Sequence, residues 1–248
     1  MLKEGVTALA KKWLYFIPVQ CPICALETCS PSAICEICER QLPWLESACE
    51  CCGLPTAARL LQIGRCGRCV VEPPAFDSCH ALFHYRTPVD QLIAQFKFQR
   101  RLEVGAALAK LLLSRFQQHL DSQQSGESTE LLIPVPLHRK RMNQRGFNQA
   151  WELVKYVSAA SGIRASNRLI ERTRFTTPQT ELSSADERRR NLRSAFAVTD
   201  LEFANSVTRV TIIDDVVTTA ATVSAMASCL RRHGIRRVDV WCLARASV

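Results

Sequence analysis

The chain has 248 residues, 47% hydrophobic and 22% charged, which excludes a disordered or fibrous protein and allows one large domain or a medium and a small one. Its formal net charge of +9 points to an anionic partner, nucleic acid or a phosphorylated metabolite, and is silent about fold. Of its 13 cysteines, 11 lie between Cys21 and Cys79, a cluster that means metal or disulfides according to the compartment.

The N-terminus, MLKEGVTALAKKWLYFIPVQC, has lysines and an apolar run, but Trp13 to Val19 is short for an export signal. Gln20 is also not the small residue a cleavage point needs. No stretch approaches the roughly 20 apolar residues of a membrane span. A cytoplasmic protein without a membrane span is expected, in which clustered thiols stay reduced and bind metal.

Residues 1–75 read as a cysteine-rich domain and 76–248 as a second one, with Pro73-Pro74 at the join. In the first, Cys21 and Cys24 are followed by Cys35 and Cys38, and Cys49 and Cys52 by Cys66 and Cys69. Each CxxC aims two sulfurs at one tetrahedral ion, and a second pair completes the four thiolates that zinc takes in closed structural sites. One zinc per set is expected, with an interleaved pairing across the sets left open. Cys29, Cys51 and Cys79 lack a spaced partner and are expected as spectators. A redox CxxC would open a helix of a βαβ unit, and none of these is expected there.

FDSCHALFHY reads as a strand, and VDQLIAQFKF and EVGAALAKLLLSRFQQHL as two helices. DSQQSGESTE, 121–130, reads as a loop and LLIPVPL as a short buried strand. FNQAWELVKYV places Phe147, Ala150, Trp151, Val154 and Val157 on one helical face that Gly162 ends. RLI, 168–170, is a weak strand, followed by a polar, basic stretch at 171–193. SAFAV and RVTIID are strands; a helix after Thr222 buries Val223, Met226, Ala227 and Leu230, and RVDVWCLA is the last strand. Strands alternating with helices predict an α/β fold with a parallel sheet and flanking helices.

In such a sheet, ligands bind beyond the carboxyl ends of the strands, where VTIIDD places Asp214 and Asp215. The segment after it enters a helix, so its amides and the hydroxyls of Thr218, Thr219 and Thr222 can converge on an anion. Carboxylates accept hydrogen bonds from sugar hydroxyls, and amides with hydroxyls cradle phosphate. Together they suit a ribose 5-phosphate. The plain alternative is a solvated strand end with a threonine helix cap.

VTIIDDVVTTAAT resembles the 5-phosphoribosyl 1-pyrophosphate (PRPP) signature of type I phosphoribosyltransferases. PVPLHRKRMNQRGFNQA, Pro134 to Ala150, and the double zinc ribbon with CGLP and CGRC resemble the ComF/GntX family along essentially the whole chain. The resemblance implies a phosphoribosyltransferase-like sheet after an N-terminal zinc ribbon. It gives Asp214 and Asp215 the ribose hydroxyls, directly or through Mg²⁺, and gives Thr218, Thr219, Ala220, Ala221 and Thr222 the 5-phosphate. His138, Arg139, Lys140 and Arg141 fall where such enzymes hold pyrophosphate; Arg172 and Arg174 fall in the hood that closes over PRPP. Arg188, Arg189 and Arg190 are expected as a solvated loop.

The family loop carries glycine where Ala220 stands, and alanine serves there if its backbone keeps an ordinary conformation. Purine-salvage members carry an aspartate base where Thr218 stands, which disfavours that reaction. His138 is the nearest candidate catalytic residue. Two functions follow. One is a PRPP-using transferase in DNA uptake, or natural competence, with an unknown acceptor. The other is a PRPP-sensing adaptor whose ribbon and basic clusters, RKRMNQR and RRHGIRR, bind single-stranded DNA or a DNA-processing protein.

Overall fold

A computed structural model describes residues 18–61, 63–122, 129–173 and 195–247. The N-terminal run before Pro18, most of the polar loop at 121–130, and Arg174 with Arg188, Arg189 and Arg190 lie outside the described residues.

The cysteine-rich segment has little regular structure. Strands β1 (Val19–Gln20) and β2 (Glu27–Thr28) pair antiparallel, and two single-turn helices follow, α1 (Glu36–Arg40) and α2 (Gly67–Val71). Beyond it come β3 (Ser78–His84), α3 (Val89–Phe98), α4 (Leu102–Ser122), β4 (Leu131–Pro134), α5 (Arg139–Arg145) and α6 (Gln149–Ser161). Then follow β5 (Arg164–Ala165), β6 (Ile170–Arg172), β7 (Phe196–Val198), α7 (Leu201–Asn205), β8 (Arg209–Val217), α8 (Ala221–Arg232) and β9 (Arg237–Arg245).

Five strands form one parallel sheet in the order β3-β9-β8-β4-β5, and β6 with β7 makes a separate antiparallel ribbon. The parallel α/β expectation holds. Parallel strands are covered on both faces, which is why β8 and β9 read as nearly continuous apolar runs. On one face Val210, Ile212, Val238 and Val240 pack with Val223, Met226 and Leu230 of α8. On the other, Ile213, Trp241 and Leu243 meet Leu92, Phe96, Leu108 and Leu112 of α3 and α4 and Leu153 and Val157 of α6. Gly105 lets α3 and α4 approach: a Cβ there would fall 2.4 Å from the Phe96 ring. Gly162 closes α6 with φ 76°, as its position after the last apolar residue predicts.

The two-residue β5 and the helix α5 were not expected. The 138–145 stretch reads as a polar loop, but His138 and Gly146 cap it at either end, with the His138 side chain accepting from the Lys140 amide and Gly146 at φ 81°.

The cysteine-rich segment docks on the sheet. Leu45 N–H donates to Leu82 O and His84 N–H to Pro43 O, each at 2.8 Å, and the Trp44 and Phe83 rings lie 4.6 Å apart. Among the described residues no helix is long and apolar enough to cross a membrane.

Candidate functional site

The sulfurs of Cys21, Cys24, Cys35 and Cys38 all lie within 4.8 Å of one another, and so do those of Cys49, Cys52, Cys66 and Cys69. Each set thus gathers separately; no interleaving across the sets occurs. The two are built alike. The Cys35 amide donates to Cys21 Sγ at 3.5 Å and the Cys66 amide to Cys49 Sγ at 3.3 Å. Burial raises the Cys21 and Cys49 thiols, but these and neighbouring amides outweigh it and bring both down to about 7. Burial and the adjacent sulfurs push Cys52 up to about 11 and raise Cys38 and Cys69 further. Four thiolates so close need a cation to ionise together, and two such four-sulfur clusters can hold zinc.

Cys35 and Cys66 are the N-caps of α1 and α2, so the second CxxC of each set opens a short helix, though not the βαβ helix a redox motif would need. Both helices have 5 residues and neither belongs to a βαβ unit. Cys29, Cys51 and Cys79 stand outside both sets.

The acidic pair sits at the point where the strand order reverses. From β4 the chain adds β5 on one side, then returns to place β8 on the other. Pairing of β4 with β8 stops at Pro134 opposite Ile213, while β8 continues beside β9 to Val217 opposite Arg245. Asp214 and Asp215 therefore flank a crevice opened by the shorter strand, and not the physical end of their own. This is the switch point at which open parallel sheets bind ligands.

Successive residues of a strand leave on opposite sides. Asp215 is buried; its Oδ1 accepts from Gln149 Nε2 at 3.3 Å and its Oδ2 is ion-paired with Lys97. Asp214 is partly exposed, and its Oδ1 accepts the Asp215 amide at 2.9 Å. Burial raises the Asp214 carboxyl to about 7 against the pull of Lys97, Arg172 and Arg145. Burial also lowers Lys97 to about 8, with Arg145 and Arg141 pushing the same way and Asp214 opposing. Arg145 and Arg172 are both lowered, first by burial and then by Arg141, while Asp214 raises them. Cations thus outnumber the two carboxylates.

Of the predicted cations, Arg141 and Arg172 come into this field. Arg139 and Lys140 are exposed on the first turn of α5. His138 spends Nδ1 on the Lys140 amide at 3.2 Å, a capping role. Arg145 and Gln149 lie within the Pro134 to Ala150 motif without being singled out there, and Lys97 carries no sequence signal that marks it. Lys97 looks like the polar end of an amphipathic helix.

Past the pair, Thr218 is exposed, and Thr219 Oγ1 accepts from the Ala221 amide at 3.4 Å. Ala220 takes φ 62°, ψ 1°, the left-handed region, so its backbone does not keep the ordinary conformation expected of an alanine there. The loop has the shape glycine favours. As N-cap of α8, Ala220 has no capping side chain, which leaves amides that an anion can cap. Arg245, buried, donates to Val217 O at 3.2 Å, to Thr218 O, and across to Cys52 O at 3.0 Å. It ties the loop to the second cysteine set. Beside the crevice, a cavity of about 740 Å³ is lined by Pro136, Leu137, Phe147, Trp151, Asn167 and Arg172.

No protein-family model matches the chain. DNA utilization protein YhgH of Salmonella typhimurium is 38% identical over 232 residues, covering 92% of this chain and 98% of that one. YhgH of Escherichia coli strain K12 is 37% identical over 212 residues, covering 86% and 90%. Competence protein F of Haemophilus influenzae is 35% identical over 181 residues, covering 73% and 78%. A solved chain described as "Analysis of an invariant aspartic acid in HPRTs-asparagine mutant" aligns at TM-score 0.32 and 12% identity over 63% of this chain and 67% of its own, too distant to argue from. Relatives this similar over most of their length place the chain in the ComF family.

Proposed function

We propose that this protein binds PRPP at the β8 crevice and acts in DNA utilisation, the role that the names of its YhgH and competence relatives carry. The observation that carries the reading is one carboxylate, Asp214, held among Lys97, Arg145 and Arg172 one loop away from the start of α8, whose N-cap Ala220 supplies no capping side chain. Asp214 would accept the ribose hydroxyls, with Asp215 setting its position from behind. Thr218, Thr219, Ala220, Ala221 and Thr222 would hold the 5-phosphate at the α8 N-terminus. Arg141, Arg145 and Arg172 would face the pyrophosphate, stabilising the charge that develops as it leaves the anomeric carbon. Magnesium carried by PRPP would neutralise part of that charge. The two cysteine sets would each hold one structural zinc.

A second reading, the PRPP-sensing adaptor for single-stranded DNA or a DNA-processing partner, is favoured by one observation. Among the described residues, the loop position of the purine-salvage base holds the exposed hydroxyl of Thr218, and His138 is engaged as a helix cap. Equilibrium dialysis of PRPP with bases, nucleotides and single-stranded DNA as acceptors separates the two. PRPP retention with pyrophosphate release on adding an acceptor supports the transferase; retention without release supports the adaptor. No retention sinks both.

A further inference from the structure

We infer that Lys97 is the resident cation of the acidic pair: its ammonium holds the place on Asp215 that a divalent ion would otherwise take. Magnesium then enters this site only on an incoming pyrophosphate. The inference rests on the β8 crevice being the PRPP site and adds to that reading the means by which the site rejects free metal.

Three observations converge. The Lys97 and Asp215 side chains are 17% and 3% exposed, so the Asp215 charge is matched inside the protein and not by water. The other oxygen of Asp215 is occupied too. Arg145 donates to Gln149 Oε1, which turns the Gln149 Nε2 toward Asp215 Oδ1. Both carboxylate oxygens are thereby committed to residues from α3 and α6, leaving Asp214 as the acid that faces the crevice. Finally, the charge count opposes a bare cation. Hard divalent ions are held by carboxylates in excess, whereas here Lys97, Arg145, Arg172 and Arg141 stand against two acids. A field of that sign attracts an anion that brings its own metal.

The test is a Mn²⁺ titration of the full-length, zinc-loaded protein without ribose ligand, read by electron paramagnetic resonance. Wild type should bind no Mn²⁺ at the pair. Lys97→Met should gain a site at least about tenfold tighter than anything in wild type, as expected when one cation competes with another for the same carboxylate. Adding Asp215→Asn to Lys97→Met should remove the gain, and Lys97→Arg should restore exclusion. Lys97→Gln, which keeps a polar head beside Asp215, repeats the gain in a second background. Equal Mn²⁺ binding by wild type and Lys97→Met, abolished by Asp215→Asn, would overturn the inference, as would no gain in either Lys97→Met or Lys97→Gln. With no ribose ligand present, failure here leaves PRPP binding standing. Failure of PRPP binding likewise leaves the Lys97 result standing.

Discussion

The first cysteine set exposes Cys24 and half-buries Cys35, whereas the second buries all of Cys49, Cys52, Cys66 and Cys69. Their local chemistry is the same, down to an amide from the third cysteine on the sulfur of the first. Their attachment differs. The first set packs Ile34 and Leu42 against Leu82 and Phe83 on β3, at the edge of the sheet. The second reaches the central strand, because Arg245 bonds the Cys52 carbonyl and the carbonyls of Val217 and Thr218 together. Equal metal motifs can therefore serve unequal ends: one staples the segment to the fold, the other braces the proposed phosphate loop.

The largest effect that would break this contrast comes from the second set. Cys49→Ser with Cys66→Ser should remove one zinc and cost at least several kcal/mol of stability, since structural zinc binding is folding free energy. PRPP binding should go with it. Zinc analysis and a denaturant midpoint check the claim. Arg245→Met comes next. It strips the donor from buried carbonyls, at about 1–3 kcal/mol for an unsatisfied group. It should weaken PRPP while both zincs stay bound; unchanged PRPP affinity would show that the brace does not matter. Cys24→Ser should act less broadly, speeding loss of the first zinc to a chelator while leaving PRPP affinity intact.

A cysteine spacing states its own chemistry, so both four-sulfur clusters were legible before any fold was known. The acidic pair and the threonine loop were legible too, because one short run carries strand, acids and helix start. Lys97, Gln149 and Arg245 were not. They reach the pair or loop from α3, α6 and the end of β9, and only the strand order brings those elements together. Strand length misled as well: periodicity ends the run at the aspartates, whereas pairing with β9 carries it on to Val217. For His138, side-chain type alone could not separate a base from a helix cap.

Two smaller effects sharpen the site. Burial lifts the Asp214 carboxyl from its ordinary 3.8 to about 7, so the folded state binds more protons than the unfolded one between these values. That contribution is fully present at the low end and is lost as pH rises through the window. The melting temperature of Asp214→Asn relative to wild type should accordingly climb across it; a flat difference would count against a raised carboxyl. Ala220→Gly should be the mildest, relieving a left-handed alanine by at most about 1 kcal/mol and leaving or improving PRPP affinity.

The most direct measurement is calorimetric titration of Mg–PRPP into wild type and Asp214→Asn at equal zinc content. Saturable heat at one site in wild type, weakened at least about tenfold in Asp214→Asn by loss of a charge-assisted contact of about 1.5–3 kcal/mol, is the expected result. Equal heats from the two proteins, or none from wild type, would contradict a ribose-phosphate site at the end of the sheet.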